Sequence, residues 1–175
     1  MAIPVKYLKK TKTEPLLKAA LLNKMETKPL ARVTIKELCE TAGVYRSTFY
    51  CHYNDVESLY CALEKDIFAD VDKAYNAFIT KELTSYEYCK ALCDMVRNGK
   101  YNIAVLFRDN NPDSSLFRAR FVAHLTEQVK NILPNANESA VNFVIAGAVS
   151  CVVTLNDVTT DEIVHTVLSI CKTVK

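Results

Sequence analysis

Apolar residues recur at steps of three or four positions along most of the chain, which is the spacing of one buried face of an α-helix. The longest stripe runs from Leu59 to Phe78. It predicts a helix over residues 56–79, roughly 36 Å long at about 1.5 Å per residue, that is capped by Asn54-Asp55. Because the sequence lacks the strict alternation and hairpin turns of β-strands, we predict an all-α fold.

Shorter helices are predicted on both sides of this long one, with breaks at Gly, Pro, Asn and Asp residues. The N-terminal helix should begin at Thr13, which can act as its cap, with Pro15 in its first turn. The chain then divides into a three-helix unit with a loose, lysine-rich basic arm (residues 1–55) and a larger helical body (residues 56–175). The predicted short helices cover residues 13–26, 35–41, 46–53, 85–97, 101–107, 114–133, 138–155 and 160–174.

Composition fits one globular domain or two small ones sharing a core, since half of the 175 residues are hydrophobic and only three are glycine. Seven cysteines at irregular spacing, an odd number, predict reduced thiols and a cytoplasmic protein. The most apolar stretch, residues 140–155, is shorter than the roughly 20 residues that a membrane span needs. We therefore expect no membrane partner.

Charge is distributed unevenly along the chain. Residues 1–56 hold ten Lys and Arg against five Asp and Glu, a net charge of +5. Residues 57–175 hold twelve against fifteen, a net charge of −3. A basic end on an acidic remainder is typical of a protein that meets a polyanion with that end, although solvated surfaces also reach such values.

Residues 34–53 read as two helices joined by a tight turn. Thr34 and Glu37 form a capping-box pattern, and Gly43 suits the left-handed end of a helix. The second helix should be about 12 Å long, near the width of the DNA major groove. It offers hydrogen-bond donors and no acid: Tyr45, Arg46, Ser47, Thr48, Tyr50 and His52.

These side chains have the chemistry of a DNA-reading surface. Arg46 can bind guanine O6 and N7 as a fork. The hydroxyl and imidazole groups of Thr48, Tyr50 and His52 can bind phosphates. Lys36 and the Thr34 end of the first helix would meet the flanking DNA backbone. The alternative is a pair of packed helices whose polar face is only solvated.

Residues 34–60 resemble the DNA-binding segment of TetR-family transcriptional regulators. The resemblance lies in Ala42-Gly43-Val44, in Arg46-Ser47-Thr48-Phe49-Tyr50, in His52-Tyr53, in Asp55 and in Leu59. It fixes the spacing, the turn residue and the aromatic positions together. The rest of the chain matches that family only in length and predicted helicity.

The resemblance implies a homodimer whose first three helices bind one half-site each of a palindromic operator. It also implies that the last two helices pair with those of the partner subunit, and that a ligand in the helical body swings the long fourth helix. Carried over, Arg46 and Ser47 would face bases, and Tyr45 would face bases or phosphate. The family commonly has a lysine at the position of Val56, which cannot bind phosphate.

Aromatic and thiol side chains in the middle of the chain could line a ligand cavity or could form solid core. Cys89 and Cys93, four apart on a predicted helix, could also be half of a metal site or a redox pair, but small core side chains explain them better. The residues predicted to line a ligand pocket are Tyr86, Cys89, Cys93, Phe107, Phe117, Phe121 and His124.

The helix over residues 138–155 is apolar on almost every face, so it must be covered on all sides. A two-fold contact with a second subunit through the last two helices would provide that cover; an ordinary buried core helix is the alternative. The predicted interface comprises Val141, Val144, Ile145, Ala148, Val152, Ile163, Val167 and Leu168.

Together these features predict a sequence-specific DNA-binding regulator, a homodimeric ligand-responsive repressor with no catalytic step, no cofactor and no metal. Its expected partners are an operator duplex, a second copy of itself and a small-molecule effector of unknown identity. Two alternatives remain open. One is an adaptor of the same fold that binds a protein, and the other is an enzyme that uses Cys89 or Cys93.

Overall fold

The computed structural model describes residues 5–99, 103–107, 112–155 and 157–173, and within these ranges all regular structure is helical. The all-α prediction is therefore confirmed. Two short 3₁₀ helices lie at Leu30–Arg32 and Ile103–Phe107. The α-helices of the described residues are α1 (Val5–Met25), α2 (Ile35–Ala42), α3 (Arg46–Tyr50), α4 (Val56–Ile79), α5 (Ser85–Asn98), α6 (Pro112–Ile132), α7 (Glu138–Thr154) and α8 (Thr160–Thr173).

Helix α1 begins earlier than the sequence pattern predicts. Residues 5–12, predicted as a loose arm, form its first two turns, and residues 1–4 lie outside the described part of the chain. Pro15 lies within the helix instead of at its start. Thr13 is accordingly buried in the helix and does not cap it. The amphipathic stripe follows, with Leu17 and Leu21 fully buried.

Helix α4 has the bounds that its periodicity predicts. Leu59, Leu63 and Val71 are fully buried, as the stripe requires. Asp55 accepts a hydrogen bond from the Ser58 backbone N–H at 2.7 Å, and so satisfies one of the free donors at the start of the helix. The helix connects the N-terminal three-helix unit to the helical body.

Two other predicted helices differ in length or type. Helix α3 ends at Tyr50, after which a hydrogen-bonded turn continues to Tyr53. The segment predicted as a helix over residues 101–107 is a 3₁₀ helix from Ile103 to Phe107, and residues 101 and 102 are outside the described part. Four of its five side chains are buried, which explains the apolar pattern that suggested an α-helix.

The buried side chains form one connected cluster that extends from Leu17 in α1 to Val164 in α8. Its centre is aromatic: Phe107 lies edge-on to Phe117 and Phe121, with ring centroids 5.1 and 5.2 Å apart. Helix α4 therefore rests on packing from both parts of the chain. No helix in the described residues is long and apolar enough to cross a membrane.

Candidate nucleic-acid interface

Helices α2 and α3 are joined by a turn that local interactions define. Thr34 accepts the Glu37 backbone N–H at 3.3 Å, and Glu37 accepts the Thr34 backbone N–H at 3.0 Å, which completes the capping box. Gly43 has φ 65° and ψ 35°, a left-handed conformation that glycine adopts without strain. The Val44 N–H then donates to the Cys39 carbonyl at 3.0 Å. The predicted helix-turn-helix is present.

Phe49 anchors the short helix α3. Its side chain is fully buried, like that of Leu38 in α2, and Cys39 is nearly so. The Phe49 ring lies 5.9 Å from that of Tyr53, centroid to centroid. A five-residue helix is not stable alone, so this packing fixes which side chains α3 exposes.

The outer face of α3 is polar, exposed and free of acids. Tyr45 is 83% exposed and Tyr50 is 57% exposed. Arg46 and Ser47 are exposed beside them, and Thr48 is half-buried. Tyrosine and arginine are residue types that are enriched in binding surfaces.

Thr34 and Lys36 lie on the exposed side of α2. The Thr34 hydroxyl bonds the Glu37 carboxylate at 2.6 Å, so this side chain serves the capping box. Lys36 faces Glu40 at 3.9 Å, with both side chains about two-thirds exposed. Such a loose surface pair leaves the ammonium accessible to a stronger anion.

His52 does not lie with the other predicted contacts. Its side chain is only 6% exposed, and its Nδ1 lies 3.2 Å from the Glu14 Oε1 in α1. This ring lies beside a carboxylate that is 38 positions away in sequence. The fold therefore places His52, which was predicted as a phosphate ligand, against α1 and not on the exposed face of α3.

The pKa of Glu37 is lowered to about 2. The first cause is the hydrogen bond from the Lys28 ammonium, 2.5 Å away, and the next is the bonding to Thr34. Both bonds favour the ionised carboxylate. The cap at the start of α2 is therefore charged under all near-neutral conditions.

No family model and no curated protein sequence matches the chain. Solved structures do match. A TetR transcriptional regulator of Streptococcus agalactiae 2603V has 20% identity and a TM-score of 0.67, over 95% of this chain and 97% of its own. The chain has the TetR fold.

Two further structures of this fold are similar. A Clostridium perfringens protein described as a regulator of fatty acid metabolism has 12% identity and a TM-score of 0.67, over 90% of this chain and 97% of its own. The dihydroxyacetone kinase operon activator DhaS has 12% identity and a TM-score of 0.60, over 93% and 96%. At such low identity these matches show the fold alone.

In this chain's version of the TetR fold, helices α5 to α8 line a cavity of about 320 Å³ that is partly open to solvent. Three of the residues predicted to line a ligand pocket do line it: Cys89, Cys93 and Phe121. Phe107 and Phe117 lie beside it in solid core. The sequence pattern did not single out most of its lining, which consists of aliphatic side chains from all four helices.

The other two predicted pocket residues lie outside the cavity. The Tyr86 hydroxyl donates to Asp161 Oδ1 at 2.5 Å near the surface. His124 Nε2 lies 2.7 Å from Asp72 Oδ1 on α4. Each of these two side chains makes a polar contact between helices. The aromatic residues crowded in this part of the sequence therefore serve contacts between helices as well as the cavity.

A chain of hydrogen bonds connects the cavity wall to α4. Tyr88, which lines the cavity, donates its hydroxyl to Gln128 Oε1 at 2.8 Å. The Gln128 amide donates in turn to Asp72 Oδ1 at 2.9 Å. Sequence reasoning missed these roles because the partners are 40 and 56 positions apart.

Half of the eight residues predicted as a dimer interface are buried within the subunit. Val141, Val144, Val152 and Ile163 are at most 9% exposed. The inner face of α7 covers the cavity, and six of the eight predicted residues line it: Val141, Val144, Ile145, Ala148, Val152 and Val167. The need for cover that the apolar pattern signalled is thus largely met by the chain itself.

The opposite face of α7 is open. Phe143 is 80% exposed, and Ala146, Gly147 and Ser150 follow it at helical spacing on the same exposed face. A Cβ added to Gly147 would meet nothing within 4 Å. The sequence pattern does not distinguish this face of α7 from the inner face, because both faces consist mainly of apolar or small side chains.

Proposed function

We propose that this protein is a DNA-binding transcriptional regulator that acts as a homodimer and represses from a palindromic operator in response to a ligand. The observation that carries the proposal is the acid-free, exposed surface of Tyr45, Arg46, Ser47 and Tyr50 on a capped helix-turn-helix. The TetR fold, shared with proteins described as transcriptional regulators, supports it. The proposal includes no catalytic step.

In this proposal the side chains on and around α3 make two kinds of contact with DNA. Arg46 and Ser47 contact base edges, with the Arg46 guanidinium as the guanine-reading fork. Tyr45, Thr48, Tyr50, Lys36 on α2 and the backbone at the Thr34 cap contact the phosphate backbone. His52 supports α3 from within by its contact with α1.

The dimer contact belongs to the exposed face of α7, comprising Phe143, Ala146, Gly147 and Ser150, together with the exposed side of α8. Small side chains let two helices approach closely, and Phe143 supplies an apolar anchor. A two-fold axis pairs this face with itself, so both subunits present their reading helices to one duplex.

Selection of bound sequences from random duplex DNA by the purified protein tests the proposal directly. A palindromic consensus is expected. On the selected duplex, Arg46→Ala should weaken binding by about 1–3 kcal/mol and relax preference at one base pair. Unchanged affinity and unchanged base preference would refute the role of Arg46.

A matched control is Lys73→Ala, which removes one exposed positive charge about 25 Å along α4 from its first turn. It should leave operator affinity unchanged. Lys36→Ala should weaken binding to all sequences equally and should reduce the dependence of log K on log salt by about one.

The homodimer can be tested separately by light scattering coupled to gel filtration. Phe143→Glu should give monomers, because it places a charge in the proposed contact. Leu116→Glu, an equal change at a 59% exposed leucine on α6, should leave the dimer intact. Loss of the dimer in both variants would point to another interface.

A protein-binding adaptor is the second candidate, favoured by one observation. Neither His52, which is turned inward, nor Val56 is available to bind phosphate, and exposed tyrosines also serve protein contacts. An adaptor would show the dimer but no shift on operator-length DNA at low salt.

A further inference from the structure

The cavity between α5, α6, α7 and α8 is large enough to hold a small molecule. Its volume of about 320 Å³ reaches the lower end of the range of about 300–1,000 Å³ that is usual for ligand sites. Protein interiors are otherwise packed closely, with few voids larger than a water molecule. A space of this size within the helical body therefore suits an occupant.

The wall of this cavity is uncharged. Among the described residues that line it, none is Lys, Arg, His, Asp or Glu. A ligand carboxylate or ammonium group placed deep in the cavity, away from its open side, would lose its hydration without gaining a partner charge, which is strongly unfavourable. The wall therefore selects against ionised ligands.

The polar groups in the wall are few. The Tyr88 hydroxyl donates its hydrogen to Gln128 and keeps only acceptor capacity. Asn135 is exposed in the loop between α6 and α7, at the edge of the lining. A neutral ligand with one hydroxyl could be accommodated, but an ion finds no counterpart.

Three thiols lie in the same wall: Cys89 and Cys93, one turn apart on α5, and Cys171 on α8. Burial raises the pKa of Cys89 to about 12 and that of Cys93 to about 11. Burial also raises the pKa of Cys171. Since the thiolate is the form that binds metals and attacks electrophiles, these protonated thiols act as weakly polar wall atoms.

We propose that this cavity binds an uncharged apolar molecule, such as a medium-chain alcohol or ester, and excludes the carboxylate of the same chain length. The inference deepens the proposed ligand-responsive function and rests on it for the consequence on DNA. The binding itself can be measured without DNA, so failure of either claim can be recognised separately.

The test uses the full-length protein and N-phenyl-1-naphthylamine, an uncharged dye whose emission rises in apolar surroundings. The dye should bind, and 1-decanol should displace it at a concentration at least tenfold lower than decanoate does, at pH 7.5. Equal displacement by decanoate, or no binding of the dye, would overturn the proposal. If decanol binds but leaves operator affinity unchanged, only the proposed regulation fails.

Two variants place the binding in this cavity. Ala148→Phe fills it and should abolish dye binding, whereas Ala91→Phe, on the exposed side of α5, should not. Val129→Lys places an ammonium group at a half-buried position of the cavity wall, so binding should shift from decanol toward decanoate. This second variant keeps the proposal testable if Ala148→Phe misfolds. Wild-type preference in Val129→Lys would contradict the charge argument.

Thiol labelling checks the state of the wall. At pH 7.5 iodoacetamide should label the exposed Cys51 and Cys61 rapidly and Cys89 and Cys93 slowly, as read by peptide mass spectrometry. Decanol should slow the second pair further. Rapid labelling of Cys89 and Cys93, or stoichiometric Zn²⁺ binding, would contradict a cavity for neutral ligands.

Discussion

A buried lysine joins the N-terminal unit to α4. Lys18 of α1 is 4% exposed, and its ammonium lies 2.6 Å from Asp66 Oδ2. The Asp66 side chain is 42% exposed, so the lysine of this ion pair is buried and the carboxylate is partly exposed to solvent. This asymmetry predicts that the two residues respond very differently to mutation.

Replacing the partly exposed Asp66 leaves the buried Lys18 ammonium without its counter-charge. Loss of one member of a fully buried pair costs about 3–5 kcal/mol, but water beside Asp66 screens part of the interaction. We therefore expect Asp66→Ala to lower the free energy of unfolding by about 1–3 kcal/mol. Lys18→Met keeps the length and removes the buried charge, so it should change stability by less than about 1 kcal/mol.

Urea unfolding at pH 7 and fixed protein concentration measures both effects. In the Lys18→Met background, Asp66→Ala should cost little, because no charge is left stranded. Glu40→Ala, which breaks the exposed pair with Lys36, is the control and should stay within about 0.5 kcal/mol. If Lys18→Met proves as damaging as Asp66→Ala, the argument from desolvation is wrong.

Three further predictions follow from single side chains. Arg97 on α5 donates to three backbone carbonyls at and beyond the end of α7, at 2.6–3.0 Å; Arg97→Ala should cost about 2 kcal/mol in urea unfolding, and Arg97→Lys should recover only part. The ionised Glu37 should stabilise α2 above its usual pKa near 4.5 and lose this effect as the pH falls toward 2, so Glu37→Gln should flatten the acid limb of stability against pH. Gly147→Ala should weaken the dimer while raising the helicity of the monomeric Phe143→Glu variant, because its Cβ meets nothing within the subunit.

The elements that sequence predicted best are those with strong local determinants. Helix α4 combines a regular apolar stripe with a side-chain cap at Asp55, and both act within a few residues. The capping box at Thr34 and the left-handed Gly43 are equally local. Helix α1 was predicted less well because its lysine-rich first turns carry no apolar period, and Pro15 imitates a helix start.

The site was predicted only where exposure follows from helical spacing. Arg46 and Tyr50, one helical turn apart, are exposed, and Phe49 is buried. The burial of His52 against Glu14 could not be predicted, because Glu14 belongs to another helix and no short-range pattern indicates that contact. Helix α7 presents a different difficulty: a cavity and a partner subunit both require apolar side chains, so the sequence pattern does not assign its two faces.

Helix α4 is held on two sides by polar contacts that sequence did not predict. Asp66 meets Lys18 of the N-terminal unit, and Asp72 meets His124 and Gln128 of α6, with Gln128 continuing to Tyr88 in the cavity wall. Apolar side chains can slide past one another with little directional cost, whereas hydrogen bonds weaken steeply once their geometry is lost. A shift of α5 or α6 around an occupant must therefore either carry α4 with it or break this chain. Because α1 is tied to the same helix, we expect the first outcome to move the N-terminal unit, and we propose this polar chain as the link between the cavity and the exposed face of α3.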